Sequence, residues 1–380
     1  MRRLRETREC PDCKLQAARL RGAYLRSANL NEADLREADL RNADLRNADL
    51  RNADLRNADL RHTNLQGANL EGADLRGADL RDTLIAGARL AERWRVAWQL
   101  VNTPIDQRQV DELLTQETLS LAGVNLNHAD LRQINFSEQN LVGANFDSSI
   151  LEEANLTQAN LEGASFFATN LEQTQLSEAN LREANLAQSN LAGADLSNSN
   201  LQEANLAEAN LTGATLSQTN LEEANLLNAN LETANLAEAN LEDSNLRGVR
   251  LNDTAFIGAN LADRDLSGMD LTGIADLAGV DLRQADLSGS NLRGLKLQNA
   301  DLRDADLSGA DLSGADLSGV NLQGANLRGA DLSNSNLTDA YLQRADFRNA
   351  NLQQTTLSGI EVYYTNFCGA TMPDGEIRDC

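Results

Sequence analysis

The chain has four cysteines, two histidines and two tryptophans, and these scarce residues are its first candidates for chemistry. Cys10-Pro-Asp-Cys13 has the CxxC spacing of a metal pair, a redox pair or a local disulfide. A structural zinc ion takes about four ligands. No histidine lies near the motif, and Cys368 and Cys380 stand at the other end of the chain, so the rest of a metal set is missing. A redox role lacks the strand–helix–strand context of thioredoxin-like proteins. What remains is a disulfide between Cys10 and Cys13, or two free thiols. His62 and His128 sit at polar, turn-like positions and read as solvated. The sequence holds no Ser/His/Asp set, no glycine-rich phosphate loop and no HExxH. Its aspartates are spread evenly and do not converge. These residues point to no catalysis, no cofactor, no metal and no small-molecule substrate.

The elements that position these residues come from a period of five. From Leu15 to Leu80 all 14 positions at this spacing are Leu. From Leu121 to Leu271 it holds for 31 positions, with Phe136, Phe146, Phe166 and Phe256 replacing Leu. From Leu277 to Phe367 it holds for 19 more, giving 64 pentads. Ala usually stands two residues before each Leu, and Asp or Asn just before it. On an α-helix five residues advance by about 140° net, so these leucines would spiral over every face. On a flat strand residues i and i+5 face opposite sides. The period is explained if the chain turns a corner every pentad, with Leu and Ala pointing to a common axis and successive coils stacking. The abundance of Asn, Asp and Gly suits repeated turns. Periodicity alone does not give the number of sides.

The A(D/N)LXX motif, plainest in Arg41–Leu55 as RNADLRNADLRNADL, resembles the pentapeptide-repeat family, and its cyanobacterial members in particular. The resemblance implies an all-β solenoid: a right-handed quadrilateral parallel β-helix with four pentads per coil, hence about 16 coils. It also implies a protein-interaction or structural role and no enzymatic activity. Some members of the family resemble DNA and protect DNA gyrase.

Two interruptions divide the repeats. In Arg81–Ser120, Leu90, Trp94, Ala97, Trp98 and Val101 recur at helical spacing, and Thr103-Pro104 reads as the cap and first turn of a second helical run with Val110, Leu113 and Leu114. A helical insertion is expected near residues 86–118. Trp94 and Trp98 either seal it against the solenoid or form a docking surface for a partner. The second interruption is one residue: Leu271 to Leu277 spans six positions, so a bulge is expected near Ile274–Asp276. The expected segments are a cap at 1–13, a first stack at 14–85, the insertion at 86–120, a second stack at 121–273, a re-phased stack at 274–367 and a closing segment at 368–380.

The formal net charge is −24, with 41% hydrophobic and only 3% aromatic residues. Such charge disfavours direct binding to nucleic acid or anionic lipid. It is unevenly placed: residues 1–80 carry 15 basic and 14 acidic side chains, and residues 141–250 carry 3 basic and 16 acidic. The acidic stretch makes a DNA-mimicking binder of gyrase or another topoisomerase the alternative to an interaction scaffold with an unidentified protein partner. No apolar stretch reaches the ~20 residues of a membrane span. The start MRRLRETREC carries no secretion signal as written, which points to the cytoplasm. The segment ECPDCKLQAARL resembles the corresponding stretch of cyanobacterial relatives in which it follows such a signal, which would place the chain in a periplasm or thylakoid lumen.

Overall fold

The computed structural model describes residues 2–103, 120–274 and 276–380. One pentad shows how all of them fold. The Leu35 carbonyl accepts the Ala38 N–H at 3.1 Å and closes a turn over Arg36 and Glu37. Glu37 sits in the left-handed region, φ +59°. The same turn position recurs along the coils and is filled mostly by Asn, Asp, Gly, Glu or Gln, with His, Ser, Ala, Thr, Arg or Tyr at a few. Gly77, at φ +70°, shows the close approach this geometry allows: a Cβ there would lie 2.0 Å from Asn57 Oδ1. The Asp or Asn before each Leu has its own task. Asp39 Oδ1 accepts the Arg41 backbone N–H at 3.2 Å, so the side chain satisfies a donor of the turn that follows.

Coils lock together through the backbone. Leu35 N–H donates to Asp54 O at 2.8 Å, Glu37 N–H to Arg56 O at 2.9 Å, and Asp39 N–H to Ala18 O at 3.0 Å. The parallel bridges join residues 20 apart: Asp34 with Asp54, Asp39 with Asp59, Asp44 with Asn64, Asp49 with Asn69. Twenty residues are four pentads, so each coil has four sides. The Leu and Ala columns fill the bore and are almost all buried. Where Thr replaces Ala, its hydroxyl stays satisfied. Thr63 Oγ1 donates to Leu40 O at 2.7 Å and Thr219 Oγ1 to Leu196 O at 2.8 Å.

The chain forms two compact units, Met1–Leu171 and Glu172–Cys380. In the first, helix α1 (Arg2–Thr7) lays buried Leu4 against the opening coil. Coils then run to the Asn69–Arg89 bridge. Helix α2 (Glu92–Asn102) follows. Repeats resume at Leu121, and Gly77 N–H donates to Gly123 O at 2.8 Å across the interruption. Helix α2 starts six residues later than position 86, where the insertion was expected. Ile85, Gly87 and Ala88 keep the pentad phase, with Gly87 at φ +71° in the turn, and the coil keeps them. Thr103 is the C-cap of α2, its N–H donating to Gln99 O at 3.0 Å. The expected second helical run at Val110, Leu113 and Leu114 lies outside the described residues.

In the second unit the bridges keep a 20-residue offset up to Asn240–Asn260. The offset then becomes 21, from Ala255–Asp276 to Asp270–Asn291, and returns to 20 at Asp281–Asp301. A single coil therefore takes up the extra residue. The tail turns back on itself: Ile377 pairs antiparallel with Thr371, and Arg378 N–H donates to Ala370 O at 2.8 Å.

Candidate interaction surfaces

Cys10 and Cys13 are joined in a disulfide with their Cα atoms 5.3 Å apart. Cys10 is fully buried and its N–H donates to Asn29 O at 2.8 Å. It lies five residues before Leu15, so it fills an inward Leu position of the first coil, a phase that the motif's CxxC spacing obscured. A second disulfide, Cys368–Cys380, was not foreseen. It pins the returning tail, and the sequence gives no sign of that antiparallel turn beyond Pro373-Asp374-Gly375. No group of His, Cys, Asp and Glu able to hold a metal ion occurs among the described residues. His62 and His128 both occupy left-handed turn positions, at φ +57°, and His62 Nδ1 lies 3.5 Å from Asp82 Oδ2.

Helix α2 lies where the next coil would lie. Trp94, Val96, Ala97 and Leu100 are buried, while Trp98 and Val101 are half-buried. Its side chains bond to the open coil edge, and two of these bonds, at Thr83 O and Asp82 N–H, stand where the backbone of a further coil would bond. Trp98 Nε1 donates to Thr83 O at 2.7 Å, Asn102 Nδ2 donates to Leu80 O at 3.0 Å, and Asn102 Oδ1 accepts the Asp82 N–H. An exposed row of backbone groups is a template for unwanted strand pairing, and α2 covers this one. The two tryptophans divide the work. Trp94 packs, with the Arg93 guanidinium 4.4 Å from its ring centre, and Trp98 bonds to the edge.

The first unit carries columns of ion pairs. Arg36 holds Asp34 at 2.7 Å and lies 3.6 Å from Asp54 of the next coil, where Arg56 repeats the pattern towards Asp74. Arg41, Asp59, Arg61, Asp79 and Arg81 form a parallel column. Hydrogen bonds from the neighbouring guanidinium, opposed by partial burial, bring Asp34, Asp39 and Asp44 down to about 2. A depressed folded value stabilises the fold above the unfolded pKa of about 3.9 and loses that contribution as pH falls through the folded value. We therefore expect the thermal midpoint of unit 1 to hold down to about pH 4 and to drop between about pH 4 and 2. In an Arg36→Gln/Arg41→Gln/Arg46→Gln variant that drop should be shallower, because its aspartates titrate alike in both states. Half-exposed pairs are screened, so added salt should reduce the difference between the two proteins.

Between about residues 180 and 260 the second unit replaces ions with amides; farther on, Arg283, Arg303 and Arg348 again pair with Asp281, Asp301 and Asp346. Asn200, Asn220, Asn240 and Asn260 each donate through Nδ2 to Oδ1 of the Asn one coil earlier, at 3.3, 3.3, 3.1 and 3.0 Å. Each Oδ1 of Asn200, Asn220 and Asn240 also accepts a backbone N–H two residues on. Asn220→Asp removes the donor to Asn200 and sets a carboxylate against Asn200 Oδ1, which cannot turn away without losing the Gln202 N–H. We expect a loss of about 1–3 kcal/mol, read as a fall in denaturant midpoint with an unchanged slope. With these positions uncharged, acidity moves to the turn tips. Glu183, Glu203, Glu223, Asp243 and Asp263 are exposed and 20 residues apart, one above another. Arg182 reaches Glu183 and Glu203 at 2.9 and 2.7 Å.

A parallel, four-sided solenoid with a Leu/Ala bore and repeating charged or amide columns is a repeat protein whose outer face is the part free to act. The family model described as pentapeptide repeats matches overlapping segments from 13 to 90 and from 120 to 374, and the chain belongs to the pentapeptide-repeat family. Its fold is thus the right-handed quadrilateral β-helix of that family. No curated protein sequence matches the chain significantly. Among solved structures it is similar to HetL of Nostoc sp. strain PCC 7120, a pentapeptide-repeat protein involved in heterocyst differentiation regulation. They share 37% identity over 62% of this chain and 92% of HetL, with a TM-score of 0.30. Rfr23 of Cyanothece 51142 shares 34% identity over 28% of this chain and 90% of its own, TM-score 0.21. QnrB1, a plasmid-mediated fluoroquinolone resistance protein, shares 17% over 56% of this chain and 86% of its own, TM-score 0.24. No helix among the described residues is long and apolar enough to cross a membrane.

Proposed function

We propose that the chain is a non-enzymatic scaffold of about sixteen coils that holds a protein partner on the acidic side of its second unit. The observation that carries this is the exposed column of Glu183, Glu203 and Glu223. It presents carboxylates at intervals of about 4.8 Å, the spacing of stacked strands, on a backbone whose turns are fixed by hydrogen bonds. Like charges held in register cannot relax apart, so a partner that neutralises them gains more than it would from scattered charges. The expected partner is therefore a protein with a basic face. Trp98 is a second contact candidate through its exposed half, and Trp94 would act through the integrity of α2. The same column supports the alternative, a DNA-mimicking topoisomerase binder, because duplex DNA spaces its charges at about 3.4 Å per strand.

A pull-down comparing the wild type with Glu183→Gln/Glu203→Gln/Glu223→Gln tests the proposal. Loss of the captured proteins supports it, and identical capture by both overturns it. A gyrase supercoiling assay separates the alternative. Mimicry requires inhibition or quinolone protection at micromolar protein that the variant lacks.

A further inference from the structure

The coil interface between residues 241–251 and 261–271 departs from all its neighbours. One coil earlier the pairing is regular: Leu226, Asn228 and Leu231 donate N–H groups to Asn245, Arg247 and Arg250 carbonyls, all at 2.9 Å. The corresponding N–H groups of Leu246, Gly248 and Leu251 have no acceptor, and those of Asp265 and Asp270 make no bond back to the coil before. The bridges 245–265 and 250–270 are missing, while Asn240–Asn260 and Ala255–Asp276 hold on either side. A cleft of about 700 Å³ opens here between 243–248 and 263–269.

Arg264 explains the gap. It stands two residues before Leu266, where the repeat places Ala, and its side chain is only 9% exposed. Its guanidinium donates to Ser244 O at 3.1 Å, to Ala262 O at 3.0 Å and to Asp243 Oδ1 at 2.8 Å. Ser244 O is the acceptor that Asp265 N–H would reach in a regular coil, as Asn245 N–H reaches Ala224 O. The arginine has thus taken the place of a ladder bond. Met269 fills the next Ala position, half-buried. Bulk alone does not open a coil: Leu295 occupies an Ala position too, and its carbonyl still accepts the Asp316 N–H at 2.9 Å. The bore beside the gap holds an apolar void of about 10 Å³ near Leu246, Leu251, Leu266, Leu271 and Ile274. The same coil carries the extra residue before Asp276.

We infer that Arg264 is a built-in wedge, and that it makes this interface, joined on two sides of four, the seam at which the second unit opens first. Local opening begins where backbone bonds are fewest. The seam separates the acidic coils from the re-phased coils, so the two can flex against each other without unfolding either.

Site-resolved hydrogen exchange on the full chain tests this. In the wild type the amides of Leu246, Gly248 and Leu251 should exchange roughly 100-fold faster than those of Leu226, Asn228 and Leu231. Equal protection overturns the inference. Arg264→Ala/Met269→Ala restores small residues at both positions and should bring the two sets within roughly tenfold of each other. An unchanged gap overturns the role of Arg264. So does failure of this variant to fold, since the repeat's own residue would then be worse than the wedge.

Discussion

Trp94→Ala is expected to destabilise the first unit by about 3–5 kcal/mol, the range for emptying a buried aromatic site. Trp94 is 1% exposed and among the largest fully buried side chains of the chain. It is the largest side chain on the buried face of α2, which Val96, Ala97 and Leu100 complete. The 11 residues of α2 are too few to persist alone, and its N-cap, Ala91, offers no side-chain bond. Without Trp94 the helix should detach, and Leu80, Asp82 and Thr83 would lose the bonds from Asn102 and Trp98. Trp98→Ala should be milder, about 1–3 kcal/mol, because it leaves one carbonyl unpaired and keeps the packed face. Urea unfolding, with hydrogen exchange followed over residues 80–90, checks both. If Trp94→Ala kept its stability and its protection but lost a binding partner, the tryptophans would be a docking surface first and a seal second.

The repeat was legible in the sequence because every pentad makes the same local choice. Leu and Ala face the bore, an Asp or Asn side chain serves the next turn, and a tolerant residue takes the left-handed corner. The phase shift after Leu271 was legible for the same reason, since a lost phase would turn every later Leu outward. The misreadings share one cause, which is trusting a local pattern over the pentad phase. Helical spacing across Leu90 and Trp94 suggested a helix from residue 86, although Ile85 and Ala88 were still in phase. The CxxC spacing drew attention away from Cys10 as a core position. Arg264 was readable as an arginine at an Ala position, but what it would bond to depended on Ser244, twenty residues back. The number of sides and the Cys368–Cys380 pairing are long-range facts that no five-residue window contains.

The two units stabilise their outer columns differently, and this bears on what each can do. In the first, each guanidinium of the Arg–Asp columns is held by the carboxylate two residues before it, and Arg36, Arg41, Arg56 and Arg61 also reach one in the next coil. Residues 1–80, with 15 basic and 14 acidic side chains, are thereby left nearly neutral, with the charges of these columns already paired. Along residues 180–260 of the second, an uncharged amide ladder supplies the side-chain bonds between coils, and acidic side chains stand at the exposed turn tips, Glu183 and Glu203 sharing Arg182 and Asp243 held by Arg264. A partner attracted by charge finds its field on the second unit, while the first resists charged ligands by being internally matched.

Phe146→Ala should be the most damaging substitution among the Leu positions of the first unit, at about 3–5 kcal/mol. Phe146 is fully buried, its ring stacked on Phe166 at 4.8 Å with planes 2° apart and meeting Phe136 edge-on at 6.3 Å. Truncation would leave both neighbouring rings without a partner on one side, and a bore closed by backbone ladders cannot collapse to fill the space. Phe146→Leu, the repeat's own choice, refills most of the volume and should cost about 0.5–1.5 kcal/mol, the worth of the ring contacts beyond burial. Denaturant midpoints at constant slope measure both losses. Because each coil rests only on its neighbours, the amides most affected should be those bonded to this coil, Leu126 N–H on Asn145 O and Phe146 N–H on Ser165 O. Loss of protection spread evenly over the whole unit would instead mean that the stack melts as one cooperative block, and would set a lower limit on how many coils unfold together.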